Sequence, residues 1–376
     1  RSSDLRETRT LFTTLEHTLN NGWQLKFNAE HSRRSYDDAF ATAANGAVNA
    51  DGSGISTWTG RWAGDPRQTS FDVSASGPFS LFSREHELYL GASHHRSYYR
   101  NGGYPLWTFQ TIDNIFTWDG SLPEPDAIHN KSTQDALDET QLGLVAATRW
   151  SLTDDLSLIT GARVIDWQRD TSSHLLATGA VTRSREQENG IVTPYVGLIY
   201  DLDEHWSAYA SYTTIFNPQN RQQADGSYLE PKEGENYELG VKGEFWDKRL
   251  TTALSVFEVR QDNLPIADPN NPGYSIAESG TKTRGFEVEM AGELLPNWQV
   301  SASYSYAVIQ DSDNERLNTE VPRDTLKLFT TYRLQSIPQL KVGGGMRWQG
   351  AEYYKEAGPN NETFHQGDYT VVDLMA

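Results

Sequence analysis

Trp298-Gln299-Val300-Ser301-Ala302-Ser303-Tyr304-Ser305-Tyr306-Ala307-Val308 alternates between two kinds of residue. Successive side chains of an extended strand point to opposite sides, so Trp298, Val300, Ala302, Tyr304, Tyr306 and Val308 share one face, while Gln299, Ser301, Ser303 and Ser305 share the other. The stretch from Asn236 behaves alike. Tyr237, Leu239, Val241 and Phe245 fall on one side, and Glu238, Gly240, Lys242 and Glu244 on the other. From Gly285, Phe286, Val288 and Met290 oppose Glu287, Glu289 and Glu293. A soluble sandwich also alternates, but its polar face is rarely this rich in acids. Lipid on one side and a polar lumen on the other account for both faces.

Three turns that precede such strands are near-copies: Asn21-Gly22-Trp23-Gln24-Leu25, Glu204-His205-Trp206-Ser207-Ala208 and Pro296-Asn297-Trp298-Gln299-Val300. Each puts a Trp first after the turn. An indole has an apolar body and an N–H that wants water, so the repeat predicts Trp23, Trp206 and Trp298 in one layer at a membrane–water interface. The tight turns are Asn20–Gly22, Gly77–Arg84, Thr153–Asp155, Asp203–His205, Asp247–Arg249, Leu295–Asn297 and Gln335–Gln339. Opposite them lie long segments rich in Asn, Asp, Gly and Pro, such as Arg33–Ile55, Arg100–Asp113, Thr171–Asn189, Asn263–Gly280 and Gly350–Asp368. Short turns at one rim and long loops at the other are the asymmetry of an outer-membrane β-barrel.

Composition points the same way. The chain is 37% hydrophobic, its mean hydropathy is -0.64, and no apolar run approaches the roughly 18 residues of a spanning helix. Only helices and closed barrels satisfy every backbone group in hydrocarbon, so a membrane chain of this composition is a barrel. The 11 Trp and 18 Tyr supply two aromatic girdles. Cysteine is absent, which excludes disulfides and thiolate metal sites. A net charge of -19 argues against a nucleic-acid partner.

Strand-like runs recur from Thr8–Thr18 to Tyr369–Ala376, about seventeen in all, among them Ser56–Ala63, Ser70–Ser76 and Asn114–Trp118. Single-chain bacterial barrels close with an even count. The odd count and the abrupt ends predict an internal fragment, open at a seam between Thr8–Thr18 and Tyr369–Ala376.

Leu229-Glu230-Pro231-Lys232-Glu233-Gly234-Glu235-Asn236-Tyr237-Glu238-Leu239-Gly240-Val241-Lys242 resembles the barrel signature of TonB-dependent outer-membrane receptors, and Gly280-Thr281-Lys282-Thr283-Arg284-Gly285-Phe286-Glu287-Val288-Glu289 resembles their second one. Further likeness lies in Gly77–Phe82, Tyr212–Asn220, Val321–Asp324 and Tyr369–Leu374. Within that family the likeness is to ferric-siderophore receptors of the ferripyoverdine and ferric-hydroxamate type. The resemblance implies an all-β, antiparallel transmembrane barrel of about 22 strands, of which residues 1–376 form a partial barrel domain without the plug domain and the final strands. It also implies a ferric siderophore as transported ligand, no cofactor, no enzymatic activity, and a place in the outer membrane of a Gram-negative bacterium. The implied partners are the siderophore, outer-membrane lipid, and TonB reached through the absent N-terminal plug region. A passive porin-like or adhesin-like barrel and a barrel esterase or phospholipase stay open as alternatives.

The candidate ligand surface is Tyr98-Tyr99-Arg100-Asn101-Gly102-Gly103-Tyr104-Pro105-Leu106-Trp107-Thr108-Phe109. Rings in a water-facing loop are costly unless they bind something or pack together, and flat chelates suit aromatic walls. Trp107, Tyr104, Trp58, Tyr99 and Phe109 are therefore the expected contacts. The resemblance adds that Trp107 stands where related receptors carry a loop Trp. Tyr98, Phe116 and Trp118 fit an outer girdle or a loop core equally well. His94-His95 is no metal pair, since neighbours on a strand face opposite ways. Glu238, Lys242, Glu244, Glu287 and Glu289 read either as a cation path or, by the resemblance, as a plug-docking surface.

Overall fold

The computed structural model describes residues 3–45, 48–105, 111–121, 130–357 and 362–376. The strands are β1 (Ser3–Thr18), β2 (Gln24–Asn45), β3 (Ile55–Gly64), β4 (Arg67–Leu81), β5 (Arg84–Gly103), β6 (Thr111–Ile112) and β7 (Thr133–Ser151). They continue with β8 (Leu156–Leu175), β9 (Ala180–Asp201), β10 (Trp206–Asn217), β11 (Lys232–Phe245), β12 (Leu250–Asp262), β13 (Leu264–Ala267) and β14 (Ser275–Glu278). The last are β15 (Thr281–Leu295), β16 (Trp298–Gln310), β17 (Asp324–Arg333), β18 (Lys341–Gln349), β19 (Glu352–Ala357), β20 (Glu362–Gln366) and β21 (Tyr369–Met375). Seventeen belong to one sheet, and β13–β14 and β19–β20 form separate hairpins. The chain divides into two units, one of Arg1–Phe79, Glu87–Ala146 and Arg163–Val192, the other of Ser80–His86, Ala147–Ala162 and Thr193–Ala376.

In the second unit, adjacent rows of the sheet have opposite chemistry. One row reads Ala210, Leu239, Val256, Phe286 and Tyr306 across five strands. The next reads Tyr209, Gly240, Ser255, Glu287, Ser305 and Thr325. It is the apolar row that is exposed: Leu239 shows 59% of its surface and Val256 49%. Among the described residues the only buried apolar side chains are Ile55, Ile112, Ile165, Trp167, Leu229 and Leu250. A soluble sandwich buries its apolar rows, so this inversion fits a lipid-facing surface.

The apolar face is bounded by rings at both ends. Near the short turns Trp206 meets Phe245 edge-on at 5.3 Å. Toward the long loops Tyr212 meets Tyr237 at 5.1 Å and Phe286 meets Tyr306 at 5.8 Å. One step further the same face turns ionic, with Glu258 held by both Arg260 and Arg284 at 2.7 Å. The first unit repeats the sequence of environments. On β2 and β4 the facing pairs run Leu25–Ala75, Phe27–Val73 and Ala29–Phe71, then His31–Thr69, then Arg33–Arg67. Asp65 bridges those two arginines, at 2.8 Å from Arg33 and 2.9 Å from Arg67.

The corners follow from local hydrogen bonding. Leu19, Leu152 and Leu202 each donate a backbone N–H to the carbonyl of the residue four on, Trp23, Leu156 and Trp206, at 2.7, 2.8 and 2.8 Å. Asp203 Oδ1 accepts the amides of His205 and Trp206, which holds its carboxyl below the ordinary range. Trp23 and Trp206 thus stand at turn ends, and Trp298 opens β16 after Asn297 at φ 69°.

Several expectations about boundaries change. Ser56–Ala63 and Ser70–Ser76 are strands as expected, each longer than the sequence suggested. They lie in β3 and β4, which pair with β2 in one continuous register, Tyr36 opposite Gly64 and Arg33 opposite Arg67. Asp65-Pro66 interrupts them because proline has no N–H to donate, although its carbonyl still accepts Arg34 N at 2.8 Å. Asn114–Trp118 is a turn rather than a strand, since the Asn114 side chain captures the Phe116 amide at 2.9 Å in place of a neighbouring strand. The segment Gly77–Arg84 tightens to Phe82–Ser83, both with left-handed φ, 52° and 61°. Much of Arg33–Ile55 and Thr171–Asn189 is strand, in the extensions of β2, β8 and β9, and β13–β14 and β19–β20 occupy Asn263–Gly280 and Gly350–Asp368. At the two chain ends, β1 pairs with β2 and β21 with β18.

Trp23 is set by a close approach. Its Nε1 donates to Pro78 O at 3.1 Å, and a Cβ on Gly77 would stand 2.5 Å from its indole. Gly77→Ala should displace the ring at a cost of about 1–3 kcal/mol. Urea denaturation of the membrane-reconstituted protein, followed by Trp emission, checks it; an unchanged midpoint would show that the indole is not pinned there.

Candidate functional site

Beyond the apolar band, β2, β3 and β5 run side by side, and their registers build two rungs on the polar face. Tyr36 lies opposite Gly64, which lies opposite Asn101; Asp38 lies opposite Trp62, which lies opposite Gly103. The rings occupy room that glycine leaves. A Cβ on Gly64 would meet the Tyr36 hydroxyl at 2.6 Å, and one on Gly60 would meet the Trp62 ring at 2.2 Å. Tyr99, two residues before Asn101 and so on the same face, neighbours Tyr36. Burial first, then Tyr99 and Asp38, push the Tyr36 hydroxyl above the ordinary tyrosine range.

Two polar atoms here are buried without a hydrogen-bond partner, Asp38 Oδ1 and Asn101 Oδ1. The other Asp38 oxygen accepts from Arg6 at 3.0 Å. A buried acceptor left unmade costs about 1–3 kcal/mol, and such a cost is tolerated where a ligand supplies the donor. The site thus offers aromatic walls from Tyr36, Trp62 and Tyr99, and two acceptors at neighbouring rungs.

Of the expected contacts, Tyr99 belongs to this face. Trp58 has its backbone in β3 opposite Thr42, an even number of residues from Trp62; its side chain lies outside the described residues, as do Trp107 and Phe109 entirely. Tyr104 is placed differently. Its ring lies under the Arg61 guanidinium at 4.8 Å, and Arg61, paired with Asp37 at 2.7 Å, leaves β3 on the side opposite Trp62. Tyr36, Asp38 and Asn101 were not singled out in the sequence; the signal for them is the spacing of Gly60 and Gly64 around Trp62, legible only once the register is known.

His94 and His95 do part as expected: His94 is against Phe71 at 6.5 Å on the apolar face, and His95 reaches Asp72 at 3.5 Å on the polar one. On the polar face of the second unit Tyr209 donates to Glu238 and carries the Lys242 ammonium over its ring at 5.0 Å.

Two loops carry the same five-residue device. In Asn49-Ala50-Asp51-Gly52-Ser53 and Gln223-Ala224-Asp225-Gly226-Ser227 the Asp Oδ1 accepts both the Ser amide, at 3.0 and 2.9 Å, and the Ser hydroxyl, at 2.7 Å in each. Gly52 and Gly226 take the left-handed φ, 85° and 86°, that lets each loop turn back.

These features, a lipid-facing apolar band, ring-bounded at both ends, with a polar inner face and ordered loops, define a transmembrane β-barrel of the outer membrane. Over residues 1–376 the chain matches the family described as TonB dependent receptor-like, beta-barrel, and it belongs to that family. It is 43% identical to the ferric-pyoverdine BN7/BN8 receptor of Pseudomonas putida, across 98% of this chain and 46% of that protein. It is 38% identical to the ferripyoverdine receptor of Pseudomonas aeruginosa, across 98% and 46%. The crystal structure of the latter receptor bound to ferripyoverdine superposes with a TM-score of 0.86 at 36% identity, covering 98% of this chain and 49% of that one. The chain therefore spans about half the length of the curated relatives it matches. These relatives are receptors of Gram-negative outer membranes.

The Ser227 donors hold the Asp225 carboxyl below the ordinary aspartate range. A depressed folded pKa means that the charged loop is stabilised above the unfolded value and loses that help as pH falls through the folded one. The Ser227 amide should keep its hydrogen-exchange protection from neutral pH down to about 4 and lose it in stronger acid. Asp225→Ala should remove it at every pH; equal protection at neutral pH in that variant would contradict the account.

Proposed function

We propose that the chain is the greater part of the barrel of a ferric-siderophore receptor of the pyoverdine class, which moves its ligand inward with energy delivered through TonB. Its role is binding and passage, without catalysis. The observation that carries this reading is the pair of rungs on β2, β3 and β5, where rings and unfilled acceptors face away from lipid. A ferric chelate of peptide-derived arms presents both flat apolar surface and N–H or O–H donors, the two complements of such a wall.

On this reading Tyr99, Trp58, Trp107 and Phe109 contact the chelate together with Tyr36, Trp62, Asp38 and Asn101. Tyr104, stacked on Arg61 at the outer side of β3, stands apart from this wall. The resemblance of the whole chain to receptors of ferric pyoverdines supports the ligand class, and the name of each relative supports uptake over hydrolysis.

In the full-length receptor, Tyr99→Ala and Trp107→Ala should each weaken ferric-pyoverdine binding by about thirtyfold, the equivalent of about 2 kcal/mol for a buried aromatic contact. Asn101→Leu, which fills the rung without an acceptor, should cost about tenfold. Quenching of intrinsic fluorescence by the iron complex reads all three. Unchanged affinity in folded Tyr99→Ala and Asn101→Leu receptors would sink the proposed wall.

A further inference from the structure

Outside the polar face, the first unit holds a recess of about 490 Å³ lined by Tyr98, Asp138, Asp170, Ser172, Arg183 and Arg185. These side chains continue the apolar face, not the inner one. On β7 Asp138 lies an even number of residues from the exposed Leu142 and Leu144, and on β8 Asp170 likewise from the exposed Val164. The inner face is marked independently: a Cβ on Gly143 would meet Ser93 and Arg163, all at the other parity. On β9 the order reverses between exposed Val192 and Arg185. Gly190, at φ 67° with its N–H on Asp166 Oδ1 at 2.7 Å, has the geometry of a bulge glycine at that step.

The recess thus lies directly above the apolar band, where the barrel passes from acyl chains to headgroups. Its acids are already paired on the same outer face, Asp138 with Arg96 at 2.5 Å and Asp170 with Arg185 at 2.6 Å. Arg183 has no acid partner among the described residues, and Arg100 only covers the Tyr98 ring at 5.8 Å. A chain of net charge -19 therefore keeps uncompensated guanidinium groups at the headgroup level of its outer surface.

We propose that this recess binds the phosphorylated sugar headgroup of an outer-leaflet glycolipid. Guanidinium groups match phosphate oxygens in a fork geometry, and Arg183 and Arg185 stand on neighbouring outward positions of one strand. Tyr98 offers a ring face for the C–H side of a pyranose. Ser172 and the carboxylate oxygens of Asp138 and Asp170 accept sugar hydroxyls. The ligand is a lipid and not a free anion because its acyl chains continue down the band formed by Leu142, Leu144 and Val164, which is contiguous with the recess. The site is separate from the chelate wall, which faces the other side of the sheet.

The test uses the full-length receptor, delipidated and titrated with vesicles of phosphatidylethanolamine carrying rough-type lipopolysaccharide. Arg183→Ala with Arg100→Ala should weaken that binding by about tenfold or more, and enzymatic removal of the glycolipid phosphates should weaken parent binding to a similar degree. Inorganic phosphate at millimolar concentration should not compete. Parent-like binding by the double variant, or equal binding of the dephosphorylated glycolipid, would overturn the proposal; competition by inorganic phosphate would make the recess a free-anion site and overturn the lipid assignment. Arg183→Gln alone, at an exposed position without an ionic partner, repeats the measurement should the double variant fail to fold, with a threefold or larger loss expected and no loss contradicting it.

Discussion

A backbone amide in hydrocarbon has no water to turn to, and this requirement governs the molecule more than any side-chain contact. It is met by long antiparallel registers, such as the pairing of β11 with β12 from Glu233 opposite Asp262 to Phe245 opposite Leu250. Once every strand is committed to its neighbours, side chains inherit a strict alternation, and each face takes the chemistry of what it touches. Interruptions are confined to levels that water reaches. Pro66 breaks the pairing with β2 only beyond the pairs Leu25–Ala75, Phe27–Val73 and Ala29–Phe71, and Gly190 shifts its strand beside the charged Asp166 rather than within the band.

The same strands meet three environments along their length. At the turn end the indoles of Trp206 and Trp298 sit half in water; in the middle Leu239 and Val256 meet acyl chains; above, Glu258 with Arg260 and Arg284 form a charged collar. Such exposed ion pairs contribute only about 0–1 kcal/mol each. Their value is positional, since a charge that cannot enter the band fixes how deeply the barrel sits. In the first unit, beyond its own apolar pairs, the polar face of β2, β3 and β5 carries Tyr36, Asp38, Trp62, Tyr99 and Asn101.

How much of this was legible in the sequence follows from what alternation encodes. Face assignments on β11, β15 and β16 could be read directly, because within the band apolar residues keep to one face and charged or hydroxyl residues to the other. The signal failed where polar strands leave the membrane. Thr171–Asn189 reads as loop because nothing apolar marks its outer face, yet it extends β8 and β9 through partners such as Arg185 and Asp170. Asn114–Trp118 reads as strand for its rings, but the Asn114 side chain closes a turn. For the proposed wall, Tyr99 was visible as an aromatic, whereas Asp38 and Asn101 are ordinary polar residues that gain meaning only from lying across Trp62 and Gly64. Tyr104 shows the reverse: adjacent in sequence to that wall, it stacks on Arg61 at the other side of β3.

The central claim, that one face of each strand meets lipid and the other a water-filled or polypeptide-filled lumen, can be measured residue by residue because the chain has no cysteine to interfere. Single cysteines along β12 from Thr251 to Arg260, spin-labelled in the full-length receptor reconstituted in bilayers, report collisions with oxygen and with a water-soluble nickel chelate. Thr252, Leu254 and Val256 should be oxygen-accessible, Ala253, Ser255 and Phe257 should not, and from Glu258 the nickel chelate should take over on the outer face. An oxygen profile without a period of two, or one that peaks at Ser255, would contradict the account.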